Sequence, residues 1–178
     1  MKVLLVNGSP HKNGCTYTAL TIVAEALNKE GIETEIMYLG NKPIAGCIGC
    51  GKCFDSGKCF RDDIVNDFIR KTAECDGFVF GSAVHFASAT GAITSFMDRA
   101  FIIPTKIKNK PAAAIVSCRR GGATASFDQL NKYFTIRCMP VISSNYWNMV
   151  HGSNPADVIK DEEGVQTMRV LGKNMAWI

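Results

Sequence analysis

Histidine is scarce in this sequence of 178 residues, and no Gly-x-Ser-x-Gly segment is present. The three histidines are His11, His85 and His151. Both shortages weigh against a hydrolase in which a histidine activates a serine nucleophile. The sequence also lacks a distinctive pair of carboxylates for acid–base hydrolysis. We therefore expect a bound cofactor to supply the chemistry, with the protein binding and tuning it and no side chain acting as the catalytic group.

Positively charged residues are in small excess, and the sequence has no long apolar run. The chain has 20 Lys and Arg against 16 Asp and Glu, without a run rich in Lys or Arg. Nucleic acid is therefore not an expected partner. The apolar run at residues 3–6 is too short for a signal peptide, and the uncharged stretch at residues 77–97 is too polar to span a membrane. We expect a cytoplasmic protein with no membrane partner, in which the eight cysteines are more typical of ligands or redox groups than of disulfides.

Apolar segments alternate with helical periodicity along the chain. The pattern predicts strands at residues 2–6, 33–39, 77–80, 112–117 and 140–144, the second of them at an edge. It predicts helices at residues 19–27, 64–73, 89–102, 127–134 and 168–175. Such alternation indicates a parallel sheet with helices on both faces, here in a single domain over residues 1–178. We also expect Met175, Trp177 and Ile178 to be exposed on the last helix, at an interface.

A loop suited to binding an anion follows the first predicted strand. Residues 7–16 combine hydroxyls and glycines with the start of a helix, so backbone N–H groups can surround a phosphate. The loop is neither a Walker loop nor a Gly-x-Gly-x-x-Gly fingerprint, which weighs against ATP and a tightly held dinucleotide. The alternative interpretation is an ordinary strand-to-helix turn capped by Ser9 or Thr16.

The connection at residues 40–61 is long for a compact domain and carries half of the cysteines. Its pattern is Cys47-x2-Cys50-x2-Cys53-x5-Cys59, with glycines between that let the backbone wrap tightly. Thiolates at this spacing can converge on one inorganic core, as in the bacterial ferredoxin run. A zinc ribbon separates its two pairs by about fifteen to twenty residues. The motif therefore favours a [4Fe–4S] cluster, with zinc or free thiols as the alternatives.

Three stretches, in this order, resemble the flavodoxin-like NADPH-dependent FMN reductases. They are residues 8–10 with Thr16, residues 76–86 with Gly91 and residues 96–99, and residues 117–122. The cysteine motif resembles that of the iron–sulfur flavoproteins, a branch of the same fold family. The resemblance implies a flavodoxin-like, doubly wound three-layer α/β sandwich whose five-stranded parallel sheet has the order 2-1-3-4-5. FMN would then bind where the strand order reverses.

The resemblance also implies the site residues. For FMN they are Ser9, His11, Asn13, Cys15, Thr16, Ala83, Val84, His85, Phe86, Ser88, Ser117, Arg119, Arg120, Gly121 and Gly122. For the cluster they are Cys47, Cys50, Cys53 and Cys59, near a subunit interface and close enough to FMN to pass electrons to it. Simpler interpretations remain open: His85 as a loop residue without a role, Phe86 as a core aromatic, and the two arginines as a solvated turn. Of the other cysteines, Cys75 and Cys138 are expected in the core, and a packing role is favoured for Cys15 over a thiol activated by the helix dipole.

The function implied is an FMN-dependent oxidoreductase that moves electrons between NAD(P)H or a protein donor and an acceptor. We expect a homodimer or homotetramer that meets a small-molecule or protein redox partner. A cluster-free NAD(P)H-dependent FMN, quinone or azo reductase is one alternative, and a non-enzymatic flavodoxin-like electron carrier is the other. Flavodoxins are usually acidic, so the net charge of +4 favours an enzyme.

Overall fold

The computed structural model describes all 178 residues and contains a sheet with five parallel strands. These are β1 (Lys2–Asn7), β2 (Glu33–Tyr38), β3 (Gly77–His85), β5 (Ala112–Cys118) and β6 (Met149–His151). The short strand β4 (Ser88–Ala89) pairs with β3 in the antiparallel sense. The parallel order is β2-β1-β3-β5-β6, which confirms the predicted flavodoxin-like order once β4 is left aside.

Seven helices cover the sheet. They are α1 (Cys15–Lys29), α2 (Lys52–Ser56), α3 (Ile64–Lys71), α4 (Gly91–Ile102), α5 (Ala123–Ile136), α6 (Pro155–Lys160) and α7 (Glu162–Trp177). One apolar core lies between the sheet and α1, α6 and α7, and another lies between the sheet and α3, α4 and α5. None of these helices is long and apolar enough to cross a membrane.

Strand β1 shows why the central strands are continuously apolar. Leu4 and Val6 face the core that contains α3, α4 and α5, whereas Val3 and Leu5 face the core that contains α1 and α7. Side chains alternate between the two faces of a strand, so a sheet covered on both faces buries every position. The sheet therefore has no solvent-facing side here, and the polar groups of the site lie where the strands end.

The predicted strand at residues 140–144 is wrong. Val141 makes only an isolated bridge to Ala112, and the last strand, β6, begins at Met149. Val141 lies opposite Ala112 and Met149 opposite Val116, so the edge chain uses twice as many residues as β5 over the same distance. The buried Asn148 amide stabilises this bulge by donating to the Ala114 carbonyl at 3.1 Å. The apolar residues 141–142 gave a strand signal that the bulge interrupts.

The structure also bears on three other expectations, which concern the last helix, two cysteines and strand β2. Met175 is buried in the core on the α7 side and is not exposed as expected, whereas Trp177 and Ile178 are exposed. Met175 lies on the inward face of a helix that extends nearly to the last residue. Cys75 is buried as expected, but Cys138 is exposed in a left-handed turn with φ of 55°. The predicted edge position of β2 is confirmed.

Candidate functional site

A cleft of about 710 Å³ opens at the carboxyl ends of β1, β3 and β5. Chain connections leave β1 and β3 in opposite directions there, which is the place where doubly wound sheets bind ligands. The lining residues come from four loops: Ser9, Pro10, His11, Lys12, Asn13, Gly14, Cys15, Ala83, Val84, His85, Ser117, Cys118, Arg119, Gly152, Ser153, Asn154 and Pro155.

The loop between β1 and α1 leaves backbone donors free at one end of this cleft. Helix α1 starts after Gly14 with no side-chain cap, and the N–H groups of Cys15, Thr16 and Tyr17 have no acceptor. The N–H groups of residues 12 and 13 are also without an acceptor. Free donors at a helix N-terminus attract an anion. The residues present therefore fit a phosphate group.

Asn7 holds this loop in shape from beneath. Its buried side chain accepts from the Ser9 N–H at 3.1 Å and donates to the Lys12 carbonyl at 3.1 Å. The hydroxyl of Ser9 accepts from the His11 N–H at 3.2 Å, so its own proton remains available to a ligand. Asn7 organises the loop, a role that the sequence pattern of residues 7–16 does not indicate although Asn7 belongs to it.

Thr16 is placed differently from Ser9. Its side chain is buried, and its hydroxyl is 2.8 Å from that of Ser117 in the loop after β5. A Cβ on Gly81 would lie 2.8 Å from the Thr16 Cγ2, so glycine in β3 lets α1 approach the sheet closely. Thr16 therefore fixes the position of α1 and does not line the cleft.

Strands β3 and β4 form a hairpin whose two-residue turn is Phe86-Ala87. Both residues have positive φ, 52° and 59°, which is the geometry of a type I′ turn. The Phe86 side chain is fully exposed and does not line the cleft. Gln129 of α5 holds the base of the turn, because its Oε1 accepts from the Ser88 hydroxyl and the Ala89 N–H, both at 3.0 Å.

The loop after β5 packs against that hairpin. Gly122 has φ of 89°, and a Cβ there would lie 2.7 Å from the Cα of Ala87. Only glycine adopts this conformation readily while leaving room for the turn. Arg119 and Arg120 are both exposed, and of the two only Arg119 lines the cleft. With Lys12, Arg119 places positive charge around the free N–H groups.

The structure thus brings nine of the predicted FMN residues to one cleft: Ser9, His11, Asn13, Cys15, Ala83, Val84, His85, Ser117 and Arg119. The six other predicted residues do not line the cleft: Thr16, Phe86, Ser88, Arg120, Gly121 and Gly122. Sequence reasoning missed the fourth loop, residues 152–155, because it placed the last strand too early. The available signal was Asn154-Pro155, which starts α6 with a side-chain cap and a proline in the first turn.

Two cysteines of the cleft are packed rather than activated. The Cys15 thiol donates to the Gly152 carbonyl at 3.6 Å, and the Cys118 thiol donates to the Arg120 carbonyl at 3.3 Å. Burial raises the pKa of both thiols. For Cys15 this outweighs any lowering by the helix N-terminus and agrees with the packing role favoured by the sequence.

The cysteine motif surrounds a second, smaller pocket of about 60 Å³. Its lining residues are Gly46, Cys47, Ile48, Gly49, Cys50, Gly51, Cys53, Phe54, Cys59, Phe60, Arg61, Arg99, Ile102 and Ile103. Burial raises the pKa of the Cys53 thiol. Negative charge on Cys47, Cys50 or Cys59 would raise that pKa further, because all three lie close enough to Cys53 for their charges to affect it. No three side chains among His, Cys, Asp and Glu are close enough to hold one metal ion.

Arg99 of α4 forms one wall of this pocket and is fully buried. Its Nη1 and Nη2 donate to the two carboxylate oxygens of Asp63 at 2.7 and 2.9 Å, and its Nε donates to the Cys59 Sγ at 3.3 Å. The remaining two donors reach the carbonyls of Ala45 and Arg61, both at 3.3 Å. Burial alone would lower the pKa of Arg99, and the hydrogen bonds with Asp63 and Cys59 reverse that shift, so the pKa is raised.

Asn66 of α3 fixes the last cysteine of the motif. Its Oδ1 accepts from the Cys59 N–H at 2.8 Å, and its Nδ2 donates to the Cys59 carbonyl at 2.9 Å. Close by, the cations of Lys52 and Arg61 lie over the Phe60 ring, 5.6 and 5.0 Å from its centroid. The Nε of Arg61 is buried without an acceptor, so the pocket retains a free donor that an anionic ligand could satisfy. The residues present therefore fit an anionic iron–sulfur centre.

The fold defines a flavodoxin-like protein whose main cleft lies where the strand order reverses. The sequence profile of the NADPH-dependent FMN reductases matches residues 1–154, and the chain belongs to this family of FMN-dependent oxidoreductases. An iron-sulfur flavoprotein of Methanocaldococcus jannaschii is 35% identical over 185 residues, covering 99% of this chain and 96% of that protein. An iron-sulfur flavoprotein of Archaeoglobus fulgidus is 30% identical over 174 residues, covering 95% of this chain and 86% of that protein.

Solved structures share the fold at low sequence identity. RosB with a bound riboflavin-phosphate intermediate has a TM-score of 0.78 at 15% identity, covering 99% of this chain and 78% of that one. An NADH:FMN oxidoreductase in its apo form has a TM-score of 0.71 at 16% identity, covering 99% of this chain and 88% of that one. An archaeal flavodoxin has a TM-score of 0.67 at 13% identity, covering 99% of this chain and 97% of that one.

Proposed function

We propose that the chain binds FMN in the cleft and a [4Fe–4S] cluster in the cysteine pocket. Electrons would enter from NAD(P)H or a reduced protein and leave to an acceptor. The single observation that carries the cluster is that Cys47, Cys50, Cys53 and Cys59 all line one pocket. The two relatives described above are named iron-sulfur flavoproteins, which supports the same assignment.

The cleft would orient FMN through its own groups. The free N–H groups of residues 12, 13 and 15–17 and the Ser9 hydroxyl would bind the phosphate, with Lys12 and Arg119 balancing its charge. Residues 83–85 would lie along the flavin ring, where Ala83 and Val84 supply apolar surface and the strand end supplies backbone groups. Bound FMN supplies both two-electron exchange with a nicotinamide and one-electron exchange with a cluster.

All four cysteines line one pocket, and no three of them are close enough together to hold a single metal ion. Each ligand of a cubane binds a different iron, so cluster ligands lie farther apart than the ligands of a single tetrahedral ion. Four cysteines within thirteen residues favour the cluster over zinc, because a zinc ribbon separates its two pairs by about fifteen to twenty residues. The remaining candidate, four free thiols, leaves the oxidoreductase as a cluster-free flavin enzyme.

Anaerobic reconstitution with iron and sulfide tests the cluster. We expect iron and acid-labile sulfide to be taken up together and a broad visible absorption that dithionite bleaches, beside the flavin bands. Cys50→Ser should abolish this absorption and leave FMN bound. Cys138→Ser is the matched control, because Cys138 is exposed and lies outside the pocket. One zinc per chain, or no iron uptake by the parent, would contradict the cluster and leave the cluster-free reductase.

Stopped-flow mixing with NADPH under anaerobic conditions tests the direct reduction of FMN. An enzyme that uses the nicotinamide bleaches the flavin band in single turnover. A flavin that stays oxidised with NADPH and NADH but is reduced by dithionite would support a carrier fed by a protein donor.

We propose a homodimer or homotetramer as the working form, and a monomer in light scattering at high concentration would contradict that assembly.

A further inference from the structure

We propose that Arg99 is a positioning residue that holds the Cys59 sulfur in place and raises the reduction potential of the cluster. This inference rests on the cluster part of the proposed function. The geometry that points to it is a buried guanidinium whose Nε is 3.3 Å from a sulfur predicted to ligate iron. Nothing in the sequence pattern of four cysteines indicates this contact, because Arg99 lies on a helix 40 residues further along.

The guanidinium has no freedom to turn away from the sulfur. Asp63 holds both Nη atoms in a bidentate pair, and the carbonyls of Ala45 and Arg61 accept the other two Nη protons. All five donors of the side chain are therefore used, and the side chain is only 2% exposed. A planar fork with five donors is specific to arginine, since lysine offers three donors on a flexible stem.

Asp63 and Cys59 contact different atoms of the Arg99 guanidinium, and this decides the charge next to the Cys59 sulfur. Asp63 binds the two Nη atoms, at the end of the guanidinium, whereas Cys59 receives the proton on Nε. The Cys59 sulfur therefore contacts the Nε of the guanidinium directly, whereas the carboxylate that neutralises the guanidinium contacts only its Nη atoms. When the cluster takes up one electron, negative charge on its sulfur ligands increases, and a donated hydrogen bond stabilises that form more than the oxidised form. Arg99 should therefore raise the potential.

Helix α4 gives a way to tell this role from simple structural support. At its start, the Thr90 hydroxyl donates to the Gly8 carbonyl at 2.7 Å, so the helix also braces the loop that would bind phosphate. Arg99 lies eight residues beyond Gly91, about 12 Å along the axis at 1.5 Å per residue. A variant that merely loosens α4 would weaken FMN binding as well. A variant that acts on Cys59 alone would leave FMN binding unchanged.

The test is a redox titration of the reconstituted protein, followed by the EPR spectrum of its reduced cluster. Arg99→Lys should retain parental FMN affinity, shift the cluster potential to more negative values and change the EPR g-values. Arg70→Lys is the matched control, since Arg70 pairs with Asp67 on the exposed face of α3, and it should leave both readouts unchanged. A parental potential in Arg99→Lys at full iron content would overturn the role of Arg99 while leaving the cluster intact.

A second variant covers the case in which Arg99→Lys fails to hold iron. Asp63→Asn removes the carboxylate that neutralises the guanidinium and keeps the Nε contact, so the potential should shift to more positive values. Shifts of the same sign in both variants, or a negative or absent shift in Asp63→Asn, would overturn the proposal. Joint loss of iron and FMN in Arg99→Lys would assign it a purely structural role. Failure of the parent to take up iron would instead overturn the cluster itself, and with it the role of Arg99.

Discussion

The hydroxyl groups of Thr16 and Ser117 are hydrogen-bonded at 2.8 Å, although the two residues are 101 positions apart. Both side chains are buried, so this contact joins the start of α1 to the end of β5 away from bulk solvent. It fixes the distance between the loop that would bind phosphate and the loop that borders the other side of the cleft. The width of the cleft therefore depends on a contact beneath it.

Ser9→Ala should weaken FMN binding by about ten- to a hundredfold, the equivalent of ~1.5–3 kcal/mol for a hydrogen bond to a charged group. The reason is that the Ser9 hydroxyl borders the free N–H groups and has a proton to donate. Fluorescence titration of the apoprotein with FMN measures this loss. Equal affinity in Ser9→Ala and the parent would show that the phosphate binds elsewhere.

Thr16→Val should lower stability more than FMN affinity. The substitution removes the hydroxyl that pairs with Ser117 and leaves a buried partner unsatisfied, which costs about 1–3 kcal/mol. Urea unfolding of the apoprotein measures this cost. Thr21→Val is a suitable control, because its hydroxyl bonds only the Tyr17 carbonyl within α1. A larger loss of FMN affinity in Thr16→Val than in Ser9→Ala would contradict a role of Thr16 mainly in stability.

Gly122→Ala should destabilise the protein by about 1–3 kcal/mol through backbone strain alone and disturb the Phe86-Ala87 turn. Gly122 has φ of 89°, and an added Cβ would lie 2.7 Å from the backbone of Ala87. Gly121→Ala is the matched control, since no atom lies within 4 Å of its Cβ position. Thermal unfolding and FMN titration of the two variants should differ clearly. Parental behaviour of Gly122→Ala would show that the turn can move without consequence.

Tyr133 should make stability decrease at alkaline pH. Burial, and then the hydrogen bond that its hydroxyl donates to Asp98, raise the pKa of Tyr133. An unfolded tyrosine ionises near pH ~10, so the folded chain favours the protonated form over a wider range. The stability from this group is complete below that pH and is lost as pH rises above it.

Urea unfolding at a series of pH values from neutral to strongly alkaline measures this effect. Tyr133→Phe should be less stable than the parent at neutral pH, and the difference should shrink as the pH rises past the ionisation of the unfolded tyrosine. Tyr146→Phe is the control, since Tyr146 is about half exposed and its hydroxyl has no partner. A constant difference between parent and Tyr133→Phe at all pH values would contradict the raised pKa.

Much of the fold was accessible from the sequence because its signals are local. The apolar runs of β1, β3 and β5 mark strands covered on both faces, and the alternation of strands with amphipathic helices gives the doubly wound class. The candidate phosphate-binding loop and the cysteine motif could be located because each lies in one short segment. The last strand was misplaced because apolar character at residues 141–142 looks the same whether or not a buried Asn148 later draws the chain into a bulge.

The sequence by itself determined the class of fold, the family resemblance and the candidate residues for binding an anion or iron. Only the tertiary structure decided which of them meet. Thr16 bonds Ser117 and does not line the cleft, residues 152–155 complete the cleft, and Arg99 reaches Cys59 from another helix. Contacts between distant positions depend on how helices pack on the sheet, and packing is set by the whole set of side chains. No local pattern of residues carries that information.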